Sequence, residues 1–396
     1  MPRQNDTSDS RSNLLRRALP FGIAFAAGYL FGRRSGPDEG RAIEIEEDEP
    51  DATAGVVDDG SAGESGPDEQ VSEVGSDEQV GAGEPAEQAG AMGAGEREPG
   101  TATVDEATAA ETTMDVSVDE EVAALSAPTT RGMPMLGLGT YQMDEYEECF
   151  QSVLTALEMG YRHVDTAQGY ENEEAVGDAI AAAGVPREDV FVATKVTPDN
   201  LAYDHVIRST EESLERLGLD YVDLLYVHWP TGEYEPRDTL DAFAELREEG
   251  LIEEIGVSNF TVDLLEEAVD VAEEPVFADQ VEMHPLLPQE DLREFCGRDD
   301  VDVELVAYSP VARGDVDDVA ALQDVAEQHD ATPAQVALAW LREKGVTAIP
   351  KATSREHLRE NWLSLDVELD DEDVATVDDI GRTERLVDPD VAPWNE

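Results

Sequence analysis

Between residues 163 and 365, short apolar runs of strand length alternate with longer runs of helical periodicity, and this alternation restricts the fold more than any other feature of the chain. The pattern predicts strands at 163–167, 190–196, 222–228, 252–257, 278–282, 303–308 and 346–350. It predicts helices at 172–183, 205–217, 239–249, 263–272, 291–298, 319–329 and 354–365. Most of these strands are near-continuous hydrophobic runs, as expected of a parallel sheet covered on both faces. Strand–helix alternation of this length predicts an α/β chain closed into a (β/α)8 TIM barrel. The rival is a doubly wound open sheet, which needs a glycine-rich phosphate turn after its first strand. The nearest match is GLGT at 137–140, within the apolar stretch MPMLGLGT. It lacks the third glycine and runs into Tyr141, not into a helix start.

The barrel is expected over residues 129–396, behind two segments of different composition. Residues 35–128 are rich in Asp, Glu, Gly, Ala and Ser, with no Phe, Trp or Tyr and one Leu. Such a segment buries too little apolar surface to offset chain entropy, so it is expected to be a disordered, charge-extended linker. The near-repeat GPDEQVSEV and GSDEQVGAG at 66–83 reads as low-complexity drift, too short in period for a solenoid. Residues 18–32, ALPFGIAFAAGYLFG, are apolar and bracketed by Arg16, Arg17, Arg33 and Arg34. They fall short of the roughly 20 residues a spanning helix needs, and arginines on both sides assign no orientation. Three readings stay open. One is a short membrane anchor or self-packing helix, with Gly22, Ala26 and Gly28 allowing close approach. The second is an export signal on the Arg16–Arg17 pair. The third is an extension upstream of the native start.

The chain carries 93 acidic residues against 26 basic ones, a formal net charge of −67. That field repels nucleic acid and anionic membrane, which leaves residues 18–32 as the only candidate for weak membrane association. Lys195, Lys344 and Lys351 are the only lysines, and the acidity continues past Thr130. The pattern fits a halophile's protein, hydrated in concentrated salt where self-repulsion is screened within about 3 Å at 1 M. Cys149 and Cys296 lie far apart with no metal-ligand spacing, so neither a metal site nor a disulfide framework is expected.

Polar groups recur at the predicted strand ends: Asp165, Lys195, His228 with Trp229, Ser258 with Asn259, Gln280 with Glu282 and His284, Tyr308 with Ser309, and Lys351. A packed barrel interior has little use for them, whereas the rim beyond the strand ends is where such a fold places chemistry. Two of the three lysines in a chain nearly free of lysine sit there. Lys344, before Gly345, suits a helix C-terminus. The stretch GYRHVDTAQGYENEEAVG, residues 160–177, carries Asp165 at a strand end and Tyr170 in the turn beyond. A free phenol titrates near 10, too high for an efficient acid at neutral pH, and a nearby ammonium lowers it. Lys195 is therefore expected to lower Tyr170, Asp165 to hold Lys195, and His228 to orient a substrate carbonyl. Taken singly, Asp165 suits a cap, Tyr170 packing, Lys195 a surface cation and His228 a strand end. Their conjunction is what points to a site that protonates an oxygen as a carbonyl is reduced.

The stretch from Gly160 resembles the first signature of the aldo-keto reductases, VDLLYVHWP the second and IPKATSREHLREN the third, with GVSNF, DQVEMHP and AYSP in the same order. The resemblance spans residues 131–382. It implies a (β/α)8 barrel and a nicotinamide cofactor bound without a doubly wound domain. It also implies a catalytic tetrad of Asp165, Tyr170, Lys195 and His228, with Tyr170 as general acid. By the same resemblance, Ser258, Asn259 and Gln280 would hold the carboxamide and Tyr308, next to Ser309, would stack under the nicotinamide. Lys351, Thr353 and Ser354 would meet the phosphates, and Asn361 the adenine. Many NADPH-preferring members carry an arginine where this chain has His357. Arg355 and Lys351 can compensate, so NADPH is expected, with NADH as the alternative. The short run after Trp394 implies an open pocket, lined by Trp229, for small aldehydes, ketones or dicarbonyls. The protein is expected to be a monomeric cytoplasmic enzyme, tethered or not through residues 18–32. The rival is a non-catalytic cofactor-sensing or scaffold protein on the same barrel.

Overall fold

The computed structural model describes residues 122–395. The expectations for residues 18–32, and for the linker up to residue 121, lie outside the described residues. A short antiparallel hairpin, β1 (Thr129–Thr130) and β2 (Met133–Pro134), opens the barrel domain. Eight strands follow: β3 (Leu138–Gly139), β4 (His163–Asp165), β5 (Phe191–Val196), β6 (Val222–Val227), β7 (Ile252–Ser258), β8 (Val276–Glu282), β9 (Glu304–Tyr308) and β10 (Thr347–Ala348). They lie in chain order, and every neighbouring pair is parallel. The two edges meet through a parallel bridge between Leu136 and Ala348, with Gly137 N–H donating to Ala348 O at 2.9 Å, so the sheet closes.

The stretch 133–140 thus supplies the eighth strand, which periodicity could not assign. Its glycines serve close approach, not phosphate. A Cβ on Gly139 would stand 2.7 Å from the Ile349 carbonyl oxygen, and one on Gly137 would stand 2.7 Å from the His163 ring.

The helices are α1 (Tyr146–Met159), α2 (Glu173–Ala182), α3 (Tyr203–Leu217), α4 (Pro236–Glu248), α5 (Val262–Val271), α6 (Glu290–Cys296), α7 (Ala320–His329), α8 (Pro333–Glu343), α9 (Arg355–Leu363) and α10 (Asp371–Asp378). Local signals set their ends. Thr332 and Gln335 form a capping box at α8, Pro333 occupies its first turn, and Gly160 ends α1 at φ 124°. Predicted and observed elements agree within a few residues, except that α1, α8 and α10 were not among the expected helices. Residues 335–341 are buried throughout, so α8 shows no polar face to mark it as a helix.

Inside the barrel, Ala193, Leu224, Tyr226, Phe277, Ala278, Val306 and Ile349 pack on Met133. A larger apolar layer fills the space between strands and helices. The hairpin forms the floor. Met133 has no exposure, Arg131 lies 4.6 Å over the Phe277 ring, and His163 Nδ1 sits 3.1 Å from Pro134 O. Phe277 and His163 belong to strand beginnings, so this end is sealed and the opposite mouth stays accessible. The contacts of the fold reach back past the predicted domain start. Val122 is buried, and its carbonyl accepts a hydrogen bond from Trp362 Nε1 at 3.1 Å. No helix among the described residues is long and apolar enough to cross a membrane.

Candidate active site

The turn after β4 is fixed by its own polar side chains. Asn172 accepts from Thr166 Oγ1 at 2.7 Å and donates to the carbonyls of Thr140 and Met143 at 3.0 and 3.3 Å. Gln168 donates to Ser209 O at 3.1 Å and accepts from Thr197 N and Asn200 Nδ2, both at 3.3 Å. Buried Glu173 accepts from Thr194 Oγ1 at 2.6 Å and from Arg216 Nε at 2.8 Å. Gly177 lets α2 lie against the end of α3, since a Cβ there would meet Leu217 O at 2.0 Å. The half-buried ring of Tyr170 is therefore carried on a one-turn 3-10 helix, Gln168–Tyr170, tied to β5, α3 and the loop after β3.

Lys195 enters from β5 at the same level. Its Nζ donates to Asp165 Oδ1, to Thr166 O at 2.8 Å and to Tyr170 Oη at 3.5 Å. Lys195 and Asp165 are 1 % and 2 % exposed, so this is a desolvated ion pair. From β8, Gln280 Nε2 donates to the other Asp165 oxygen at 2.7 Å, which engages both oxygens of the carboxylate. His228, just past β6, presents its ring edge-on to Tyr170 with centroids 5.6 Å apart. Asn259, at φ 65°, donates to His228 O at 3.0 Å and to Ser258 Oγ at 3.1 Å, and accepts from Tyr308 Oη at 2.8 Å. Ser258 Oγ donates to Gln280 O at 2.7 Å. Eight residues that the sequence singled out thus converge at the C-terminal mouth. Trp229 flanks them, and Ser309 follows Tyr308 at φ 50°.

The remaining candidates form a second group. Lys351 and Thr353 lie in the loop after β10, while Ser354 and Asn361 belong to the start and the buried last turns of α9. Ser354 Oγ accepts from His357 N at 3.1 Å and so caps α9. Lys351 is exposed and has no ion pair among the described residues, whereas Lys195 and Lys344 each pair with an aspartate. An exposed ammonium beside a helix N-terminus is chemistry that fits a phosphate.

The electrostatics correct one expectation. Burial, with Asp165 adding to it, pushes Tyr170 well above the ordinary tyrosine value, where a lowering by Lys195 was expected. The ammonium lies nearer to Asp165 than to the phenol, and the carboxylate offsets its charge. Burial also lowers Lys195, against the pull of Asp165. His228 is held at about 3 by burial and then by the Lys195 charge. At neutral pH the mouth therefore holds a protonated phenol and a neutral imidazole.

A cleft of about 240 Å³ opens beside Tyr170, lined by Tyr141, Gln142, Asp144, Gly169, Tyr170 and Glu171. The segment after α10 folds back on the rim near Trp229, where the short C-terminal run was expected to leave the pocket open. Leu386 N and Val387 N donate to the Glu282 carboxylate at 2.7 and 2.8 Å, and the Trp394 ring lies 5.6 Å from Trp229. Sequence reasoning missed this segment and the positioning roles of Gln168, Asn172 and Glu173. The one available signal was a cluster of polar residues, 168–174, between a buried strand and a helix that needs a glycine.

A closed parallel barrel with a proton-bearing phenol beside a buried ammonium at its C-terminal mouth defines a barrel enzyme equipped for proton transfer. Residues 135–382 match the Aldo/keto reductase family, and the chain belongs to that family. It is a carbonyl-reducing oxidoreductase. The chain is 41 % identical over 254 residues to a glyoxal reductase of Bacillus subtilis (strain 168), covering 64 % of this chain and 91 % of the relative. It is 39 % identical over 268 residues to the methylglyoxal reductase DkgB of Escherichia coli O157:H7, covering 66 % and 99 %. Among solved structures it is similar to MGS-M4, an aldo-keto reductase enzyme from a Medee basin deep-sea metagenome library. The TM-score is 0.62 at 36 % identity, over 65 % of this chain and 94 % of the other.

Proposed function

We propose that this chain reduces small aldehydes, ketones and dicarbonyls with NADPH, using Tyr170 as the general acid. The observation that carries the reading is the buried chain of contacts from Gln280 through Asp165 and Lys195 to the Tyr170 hydroxyl, with a neutral His228 against the phenol ring. A nicotinamide cofactor at the mouth would supply a hydride to the carbonyl carbon. Ser258, Asn259 and Gln280 would hold its carboxamide, Tyr308 and Ser309 would border the ring, Lys351, Thr353 and Ser354 would meet the phosphates, and Asn361 the adenine.

The chain's own residues would then handle the oxygen. His228 donates a hydrogen bond to the carbonyl oxygen and fixes its direction. Tyr170 gives up its proton as negative charge builds there. The phenolate left behind is stabilised by the Lys195 ammonium, which Asp165 keeps charged and in place. The raised pKa of Tyr170 keeps the acid loaded throughout the neutral range, and the still more basic alkoxide oxygen draws the proton. The barrel is taken to act as a monomer in the cytoplasm. The test is steady-state oxidation of NADPH and of NADH by the full chain in molar salt, with methylglyoxal and glyceraldehyde as substrates. Turnover with NADPH at the lower KM is expected. Cofactor binding without turnover of either carbonyl would refute the reading in favour of a sensing or scaffold role.

A further inference from the structure

Tyr226 places a second phenol one layer below the site. On β6 it stands two residues before His228, and the sheet register sets it between Lys195 of β5 and Gly256 of β7. Its ring belongs to the barrel interior and has no exposure. The neighbouring strand makes room for that ring, since a Cβ on Gly256 would stand 2.5 Å from Tyr226 Cδ1 and 2.6 Å from Cε1. The Lys195 ammonium lies 5.0 Å from the Tyr170 ring centroid and 5.9 Å from that of Tyr226, so both phenols border the buried ion pair.

Packing accounts for the ring but not for the hydroxyl. Tyr226 Oη is buried and has no hydrogen-bond partner among the described residues. An unpaired buried hydroxyl costs stability, whereas phenylalanine would fill the same space without that cost. A local rule broken with no gain in packing points to function. The group within reach is Gln280, whose Nε2 donates to Asp165 Oδ2 at 2.7 Å. A primary amide has two N–H groups, and this bond uses one. Burial, then Asp165, push the Tyr226 hydroxyl well above the ordinary tyrosine value, while Gln280 acts on it in the opposite direction and Asp279 adds a smaller upward push. A downward pull is what an N–H directed at the phenol oxygen exerts.

We propose that Tyr226 is a positioning residue for proton transfer: its hydroxyl steadies the Gln280 amide on Asp165, and through Asp165 it keeps the Lys195 ammonium in place. The proposal rests on the reduction proposed above and adds a residue to it. Lys195 is faced by Asp165 of β4, Tyr170 of the turn beyond and Tyr226 of β6, with Glu173, His163 and His228 in electrostatic reach. If the amide loosens, Asp165 grips the ammonium less firmly. Lys195, already lowered by burial, then gives up its proton at a lower pH. The test is Tyr226→Phe in the full chain, with NADPH and methylglyoxal. It should lower kcat about three- to tenfold, with KM for methylglyoxal within about twofold of the parent. The alkaline limb of the kcat profile should move to lower pH by about 0.4–1 unit. The thermal midpoint should equal or exceed the parent's, because an unpaired buried hydroxyl has been removed. A packing role does not produce lost turnover at undiminished stability.

A Tyr226→Phe protein with the parent's kcat and alkaline limb would overturn the proposal. A loss of kcat with the limb unmoved would overturn it by cutting the link to Lys195. A lowered midpoint would overturn it by making the hydroxyl structural, and a change confined to KM would assign the hydroxyl to substrate binding instead. Each of these results leaves the reductase reading intact. A parent that reduces neither methylglyoxal nor glyceraldehyde would remove that reading and this one with it.

Discussion

Replacing Tyr170 by Phe removes one oxygen and little else. Among the described residues the hydroxyl takes part in a single hydrogen bond, from Lys195 Nζ at 3.5 Å, near the limit for such a contact. The ammonium keeps Asp165 and Thr166 O, so no buried charge is stranded. The ring keeps its neighbours, Tyr141 at 5.2 Å and His228 at 5.6 Å between centroids. The stability cost should therefore stay within about 0.5 kcal/mol, as for changes that leave no buried group unpaired. The catalytic cost is of another order. A positioned general acid contributes about 10²–10⁴ in rate, or about 3–5 kcal/mol at 1.36 kcal/mol per tenfold. The assay is kcat at saturating carbonyl and NADPH, with cofactor affinity followed by fluorescence and the fold by thermal unfolding. The expected outcome is a folded variant that binds cofactor like the parent and turns over at least about a hundredfold more slowly. A Tyr170→Phe protein within tenfold of the parent kcat would refute the assignment of the acid.

Other perturbations read different parts of the structure. Asp165→Asn leaves the Lys195 ammonium buried without its counter-charge and should cost about 3–5 kcal/mol in urea unfolding; an unchanged midpoint would mean that the pair is not desolvated. Gly177→Ala puts a methyl 2.0 Å from Leu217 O and should cost about 1–3 kcal/mol through displacement of α2 against α3, whereas a neutral result would contradict that packing. His228 binds its proton at about 3 in the fold and near 6.5 in the unfolded chain, so the unfolded chain protonates first as pH falls. Its contribution to stability is present above about pH 6.5 and is lost toward pH 3, at up to about 1.4 kcal/mol per pH unit. His228→Asn should flatten the stability curve between pH 6 and pH 4, and parallel curves for the two proteins would show that His228 is not held neutral.

The barrel was legible because its strands are buried on both faces and read as uninterrupted apolar runs, while most of its helices keep one polar face. Where that contrast fails, so does the reading. The α8 segment is buried from residue 335 to 341 and shows no polar face there, and β3 is two residues long, with Gly137 before it and Gly139 within it, glycines whose purpose shows only against His163 and Ile349. The site was legible as residue types at strand ends, since Lys195 stands out in a chain almost without lysine. The sign of its effect on Tyr170 was not legible. It depends on how closely Asp165 approaches the ammonium and on how deeply both lie, and these are distances, not residue identities. Glu282 could be placed at a rim, but its partners, Leu386 and Val387, contribute backbone N–H groups, which carry no sequence signature.

That pairing also sets an order of assembly during synthesis. Glu282 leaves the ribosome 104 residues ahead of Leu386. Every barrel strand and the tetrad emerge before the stretch that anchors on this carboxylate and brings Arg385 and Trp394 to the rim. A growing chain can therefore close its sheet early, as domains do when they form from the N-terminal side. The side of the mouth that this stretch covers would be completed last, when translation has delivered the residues that finish the doorway.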